Sequence, residues 1–234
     1  MLDTYGNPVG PVVPDWTACP PPEPVTLEGR YVSVVPLVSA YYADLFATTC
    51  GVDDGGLWTY RPVDMPRSLP DLWMHLAGVL DRPDDVTFAF LPKEGEYAGR
   101  AMGIASLMRV VPAHGNVELG GVLFGRALQR SRAATEAIHL LMRYMLDELG
   151  YRRFEWKCDS LNEPSRRAAG RLGLTYEGRF RNHMVLKGHN RDTDWFAVTA
   201  EGWPTVRAAH EIWLDPANFD GDGRQRTALS DLTG

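Results

Sequence analysis

Between Asn116 and Leu149 the chain passes from a strand pattern to a long helix pattern through one short, basic loop. Asn116–Phe124 reads as a strand and Gly125–Arg130 as the loop. From Ser131–Ala134 onward a helix begins, with Ala134, Ile138, Leu141, Met145 and Leu149 recurring on one face. Gly150 stands where a glycine closes a last helical turn. A strand that feeds a helix directly leaves the first helical N–H groups unpaired and aimed at the loop. The positive dipole end there suits phosphate, and Arg126, Arg130 and Arg132 add charge. The segment predicts a layered α/β fold with a phosphate or pyrophosphate site, without naming the ligand.

The rest of the chain is consistent with one core. Of its 234 residues 44% are hydrophobic and 23% charged, an ordinary globular composition. Residues 1–24 read as an extended Pro-rich arm, 25–214 as the folded domain and 215–234 as a polar, frayed tail. A strand is expected over Val25–Val35, a helix near Val38–Ala47, and another at Ser68–Leu80 capped by Ser68. Val86–Leu91, Ala101–Val110 and Asn116–Phe124 read as antiparallel strands with hairpin-length turns. Phe154, Trp156 and Cys158 alternate with Arg153, Glu155 and Lys157, a strand buried on one face. Asn162 and Pro164 open a helix that Gly173 closes. Strands over Leu174–Lys187, with a turn inside, and Thr193–Thr199 follow, then a helix from Trp203–Pro204 to about Leu214.

Composition also excludes. The net charge of −6 disfavours nucleic acid as a partner. Yet Arg126–Asn182 holds twelve Lys and Arg against seven Asp and Glu, so the remainder carries −11. A basic middle in an acidic chain points to a local anionic ligand. Three scattered cysteines, Cys19, Cys50 and Cys158, indicate a reducing compartment rather than a disulfide framework. No signal-peptide pattern opens the chain and Pro36 and Asp44 break its longest apolar stretch, so the expectation is a cytoplasmic protein without a membrane span. No residues stand at metal-ligand spacing; Asp220 and Asp222 begin like a calcium loop but lack the later Glu.

Gln129–Arg130–Ser131–Arg132–Ala133–Ala134 resembles the Q/R-x-x-G-x-G/A signature with which GNAT acetyltransferases hold the coenzyme A pyrophosphate. Arg132 stands at the usual glycine, so its side chain must point away from the phosphate path or reach around to it. Leu149–Gly150–Tyr151–Arg152–Arg153, Trp156–Lys157–Cys158, Asn162–Glu163–Pro164–Ser165–Arg166–Arg167–Ala168–Ala169, Arg171–Leu172–Gly173–Leu174, Glu177–Gly178 and His183–Met184–Val185–Leu186–Lys187–Gly188 follow in order. The series is similar to the GNAT branch of ribosomal-protein alanine and serine N-terminal acetyltransferases, over roughly Val25 to Leu214.

The resemblance implies a mixed, mostly antiparallel sheet flanked by helices and splayed between two parallel strands, Asn116–Phe124 and Arg153–Cys158. Coenzyme A would lie in the splay against the backbone of Val122 and Phe124, with Gln129 to Ala134, Asn162 and Arg166 completing its site. It implies acetyl-CoA as donor, no metal, and direct attack by an amine. A free α-amino group has a pKa of about 8, so a base assists near neutrality. The departing thiolate gains from a proton donor, for which the serine of Asn-x-x-Ser stands here as Ser165. Glu118 is the candidate base; where some ribosomal-protein enzymes place a glutamate this chain has Met184, with His183 the nearest titratable group. Trp58 and Tyr60, with Trp73 nearby, are candidates to line the acceptor site. The acceptor is a peptide N-terminus or a small amine, and a homodimer is compatible with the reading. Three alternatives stay open: transfer of another acyl group such as succinyl, a coenzyme A-binding regulatory module without catalysis, and a nucleotide-binding protein.

Overall fold

A computed structural model describes residues 1–234. Eight strands and six helices follow one another as β1 (Leu27–Glu28), β2 (Val32–Pro36), α1 (Tyr42–Thr49), α2 (Leu69–Leu80), β3 (Val86–Pro92), β4 (Gly103–Val111), β5 (Asn116–Phe124), α3 (Arg132–Arg143), β6 (Arg153–Asp159), α4 (Glu163–Arg171), β7 (Thr175–Leu186), β8 (His189–Thr199), α5 (Trp203–Leu214) and α6 (Leu229–Thr233). The strands form one sheet in the order β1-β2-β3-β4-β5-β6-β8-β7. Every neighbouring pair is antiparallel except β5 and β6. That one parallel pair requires a crossover, and α3 supplies it.

Alternation along the strands sends apolar side chains to two cores. Val117, Leu119 and Phe154 meet Ile138, Leu141 and Met145 of the α3 segment and Trp203 of α5. On the other face Ile104 and Leu123 meet Leu45 of α1, Leu72 and Leu76 of α2, and Trp58. Ser68 accepts from the Asp71 N–H and caps α2 as its sequence predicts. After Arg143 the helix widens into a π-helical turn over Tyr144–Glu148, and Gly150 at φ 71° ends it.

Several boundaries differ from the sequence expectation. The strand expected over Val25–Val35 is two, because the chain turns at Gly29–Arg30 around a buried acid. Glu136 of α3 accepts from the N–H groups of Arg30, Tyr31 and Val32. A Cβ on Gly29 would collide with the Glu136 carboxyl group, which those three N–H groups hold in place, so only glycine fits that approach. The turn expected inside Leu174–Lys187 lies instead at Lys187–Gly188, where both residues have positive φ. Bulges in the β7–β8 pairing break the apolar alternation and hide that register from the sequence.

The end of the chain is also not frayed. Leu229 of α6 is buried in the main core, and Trp213 Nε1 donates to Gln225. Asp220 Oδ1 accepts from the N–H groups of Asp222 and Arg224, an Asx-type turn. The Pro-rich arm lies on the domain through Cys19, which is buried, and Trp16, whose indole N–H donates to Ala113 O. No helix is long and apolar enough to cross a membrane.

Candidate active site

The site is built where β5 and β6 part. They pair from Asn116↔Arg153 to Leu119↔Trp156; beyond that β5 runs on against β4 and β6 against β8. A bulge opens the β4–β5 register between Gly120 and Leu123, with Gly121 at φ 62°. It flips the alternation: Val117, Leu119, Val122 and Phe124 face the α3 side, whereas Glu118 and Leu123 face the α1–α2 side. No strand covers the free edge, so side chains reach its carbonyls. Arg61 Nη1 donates to Gly121 O and Val122 O at 3.0 and 3.1 Å, and Gln129 Nε2 donates to Phe124 O at 3.1 Å. An edge bridged only by movable side chains can accept an extended, amide-bearing ligand in place of a strand.

At the near end of this edge stands the α3 N-terminus. Ser131 Oγ accepts from the Ala134 N–H, which leaves the N–H groups of Arg132 and Ala133 without a backbone partner. Ala133 and Ala134 are buried and offer no side chain beyond a methyl. Arg130 adopts φ 58° in the tight turn and forms no ion pair. Arg126, by contrast, is spent on Asp54 and the Asp53 carbonyl. Arg132 takes the outward course: its guanidinium lies over the rings of Tyr31 and Phe219 and pairs with Glu94. Its side chain therefore leaves the helix end open although it replaces a glycine.

On the far wall, Asn162 Oδ1 accepts from the Ser165 N–H and caps α4. Ser165 Oγ in turn accepts from Trp156 Nε1 at 3.0 Å. With that lone pair engaged, the hydroxyl proton is directed elsewhere, which suits a donor. The Cys158 thiol beside it is pushed up to about 11 by burial, so it stays protonated at neutral pH. Arg166 is held by Glu163 and by the fully buried Asp194. Asp194 also binds Arg179, whose hydrogen bonds keep its carboxyl below the usual range despite burial.

The α1–α2 face of the cleft carries charge. Glu118 is buried, and its Oε2 takes Lys157 Nζ and Arg109 Nη1, each at 2.6 Å. Oε1 lies beside Gly120, where an added Cβ would stand 3.2 Å away. Lys157 sits over the Trp195 ring at 3.6 Å. The loop 58–64 spans this region and is tied on three sides. Tyr60 Oη donates to Leu161 O, Arg61 holds β5, and Lys187 at the β7–β8 turn reaches Trp58 O and Asp64. Trp58 itself is buried in the second core with its N–H on Thr49 O, so it supports the loop rather than lining a surface. His183 lies at the rim with Nδ1 on Thr193 Oγ1, against Phe180. Arg61, Lys157 and Trp195 are not singled out by the sequence. A buried Glu118 does demand a cation, and the alternation of β6 puts Lys157 on its face; nothing local marks Arg61.

A mixed sheet that opens at its one parallel pair, with a helix terminus at the opening, defines the GNAT architecture. The chain belongs to the GNAT acetyltransferase family: the family's Acetyltransferase (GNAT) domain model matches residues 33–175. A GCN5-related N-acetyltransferase from Brucella melitensis is 40% identical, with a TM-score of 0.90 over 94% of this chain and 99% of that one. A GNAT-family protein from Chromobacterium violaceum is 34% identical, with a TM-score of 0.77 over 85% and 98%. A ribosomal-protein-S5-alanine acetyltransferase from Vibrio fischeri shares the fold at 16% identity and a TM-score of 0.59, over 76% and 98%. No curated protein matches the sequence significantly.

Proposed function

We propose that the chain is an N-acetyltransferase that moves an acetyl group from acetyl-CoA to a primary amine, either a protein N-terminus or a small molecule. The observation that carries this reading is the free edge of β5, whose Gly121, Val122 and Phe124 carbonyls are bridged by side chains rather than a strand. The edge leads from the open α3 terminus, fit for a pyrophosphate, to the Ser165 hydroxyl. When bound there, acetyl-CoA supplies the thioester carbonyl that the amine attacks.

The protein's own groups have distinct tasks. Val122 and Phe124 align the extended arm of the donor through their backbone. Gln129 releases Phe124 O, and Arg130 to Ala134 hold the phosphates through N–H groups and the Arg130 charge. Asn162 fixes the first turn of α4, and Arg166, anchored on Asp194, braces the same turn. Ser165, steered by Trp156, gives its proton to the sulfur as the C–S bond breaks. Glu118 receives the amine's proton at Oε1 as the C–N bond forms, directly or through one water. Tyr60 and His183 border the acceptor's approach, over the floor that Trp58 supports.

Glu118 held by two cations also favours a second reading, a module that binds coenzyme A without turnover. Incubating pure protein with acetyl-CoA and a panel of amines, and following free thiol, separates the two. Amine-dependent thiol release that falls sharply in Glu118→Gln supports the enzyme. Saturable binding with no release on any amine would favour the module.

A further inference from the structure

The arginine at the heart of the cleft has hydrogen-bonding capacity that the protein does not use. Arg61 Nη1 is spent on the two β5 carbonyls, while Nε is shut off from solvent with no partner. Nη2 makes no protein hydrogen bond, and no carboxylate lies within ion-pair distance of the guanidinium. The group lies 5.1 Å from the Trp58 ring centroid, and its neighbour His75 is held neutral, lowered to about 4 by burial and by the Arg61 charge. Burial lowers Arg61 itself to about 10, with no acid to offset it.

Other enclosed arginines have partners, and Arg166, whose Nε makes no hydrogen bond, still has that atom 2.8 Å from Asp194. Arg153 binds Glu155 and Glu177, and Arg179 binds Asp194 through two nitrogens. Arg171 lacks an acid but donates to Thr135 and stacks on Trp213, with no orphaned atom. A second buried donor without a partner, Trp195 Nε1, lies on the same face of the sheet as Lys157, which stands over its ring. An enclosed guanidinium with an unused donor and no acid beside it calls for an anionic, oxygen-bearing ligand.

We propose that the Arg61 guanidinium, through its free Nη2, receives a carboxylate of the substrate, making this a transferase for a carboxylate-bearing partner. The inference rests on the acyltransferase reading and deepens it. A guanidinium enclosed without an acid is stabilised by a carboxylate that brings both the opposite charge and an acceptor for Nη2. Because Nη1 grips Gly121 O and Val122 O, the guanidinium is anchored on the strand edge along which the proposed donor runs. The carboxylate has two available sources: the far end of a dicarboxylic acyl group, or the amine acceptor, as in an amino acid. In either case it is held and not consumed; the bonds made and broken are those of acyl transfer.

The test compares ligands on the wild-type protein first. Calorimetric titration with succinyl-CoA and with butyryl-CoA, its neutral analogue of equal chain length, reads the acyl source. Acetyl transfer to a free amino acid and to its amide reads the acceptor source. A preference of at least about tenfold for the acid in one arm is expected, since losing the partner of a desolvated charge costs that much or more. In Arg61→Met that preference collapses toward unity, and Arg61→Lys restores it only in part. The ratio of the two ligands is the readout, so a variant with lowered stability remains informative. Acyl-CoA binding with no preference in either arm, or a preference that survives Arg61→Met, overturns the inference and leaves the acyltransferase reading standing. Absence of any acyl-CoA binding removes both.

Discussion

The two ends of the β5–β6 pair are made of the same kind of chain and do opposite things. At the closed end, Asn116–Leu119 against Arg153–Trp156, the strands are bonded to each other and Val117, Leu119 and Phe154 are sealed in the core, while Glu118 faces the cleft from the opposite side of the sheet. At the open end, from Gly120 and Lys157 onward, a bulge and two glycines turn β5 away, and its carbonyls are served by Arg61 and Gln129. Phe154 at the closed end is fully buried; Ser165 beside the open end is half-buried, with its hydroxyl oxygen accepting from Trp156. The contrast separates what holds the molecule together from what it works with. Changes to the core face of the closed end should move stability, and changes at the open end or at Glu118 should move chemistry.

The largest expected effect is at the closed end. Phe154→Ala should lower unfolding free energy by about 3–5 kcal/mol, the range for truncating a buried aromatic. Denaturant melts would check it, and a loss below about 1 kcal/mol would mean that the sheet is not sealed there. Ser165→Ala should do the reverse, lowering kcat about a hundredfold with unfolding and acetyl-CoA affinity nearly unchanged. An unchanged kcat would remove Ser165 from the reaction.

Acid should act on the closed side too. His139 of α3 and His210 of α5 face each other with Nδ1 atoms 3.3 Å apart, and His210 Nε2 meets Leu172 O. Burial lowers them to about 4 and about 3, below histidine's usual 6.5. Above pH 6.5 both rings are neutral folded or unfolded, and stability is complete. As pH falls from about 6.5 toward 4, the unfolded chain binds protons that the folded chain refuses, so stability falls. Tm measured across that range should drop, and His139→Gln should flatten the drop. The smallest effect is Ser131→Ala, which removes the cap of α3 and should cost about 1 kcal/mol.

Much of the architecture is legible because the elements from α2 to α4 announce themselves locally. Gly150, Asn162 with Pro164, and Ser68 mark helix ends by chemistry that works within one turn. The Asn116–Phe124 strand and its basic loop imply the helix terminus that α3 presents. What escaped depends on partners distant in sequence. Glu136, 106 residues from Arg30, splits the first strand in two. Arg132 leaves the phosphate path because Tyr31 and Phe219 receive it. Arg126 looks like part of the anion site until Asp54 is seen to bind it. The polar tail hides an anchor, since one buried leucine and one indole–amide bond suffice to dock it. Arg61 belongs to the same group: its meaning arises only when β5 diverges from β6 and leaves carbonyls for it to hold.

Calorimetric titration of the pure protein with acetyl-CoA, alongside ATP, reads whether the open end of the β5–β6 pair is a site for an acyl-CoA. Saturable binding of acetyl-CoA with one site per chain is expected, and none of ATP, which has phosphates for α3 but no amide-bearing arm for the edge of β5. No heat of binding from acetyl-CoA at millimolar concentration, or equal binding of ATP, would contradict that assignment.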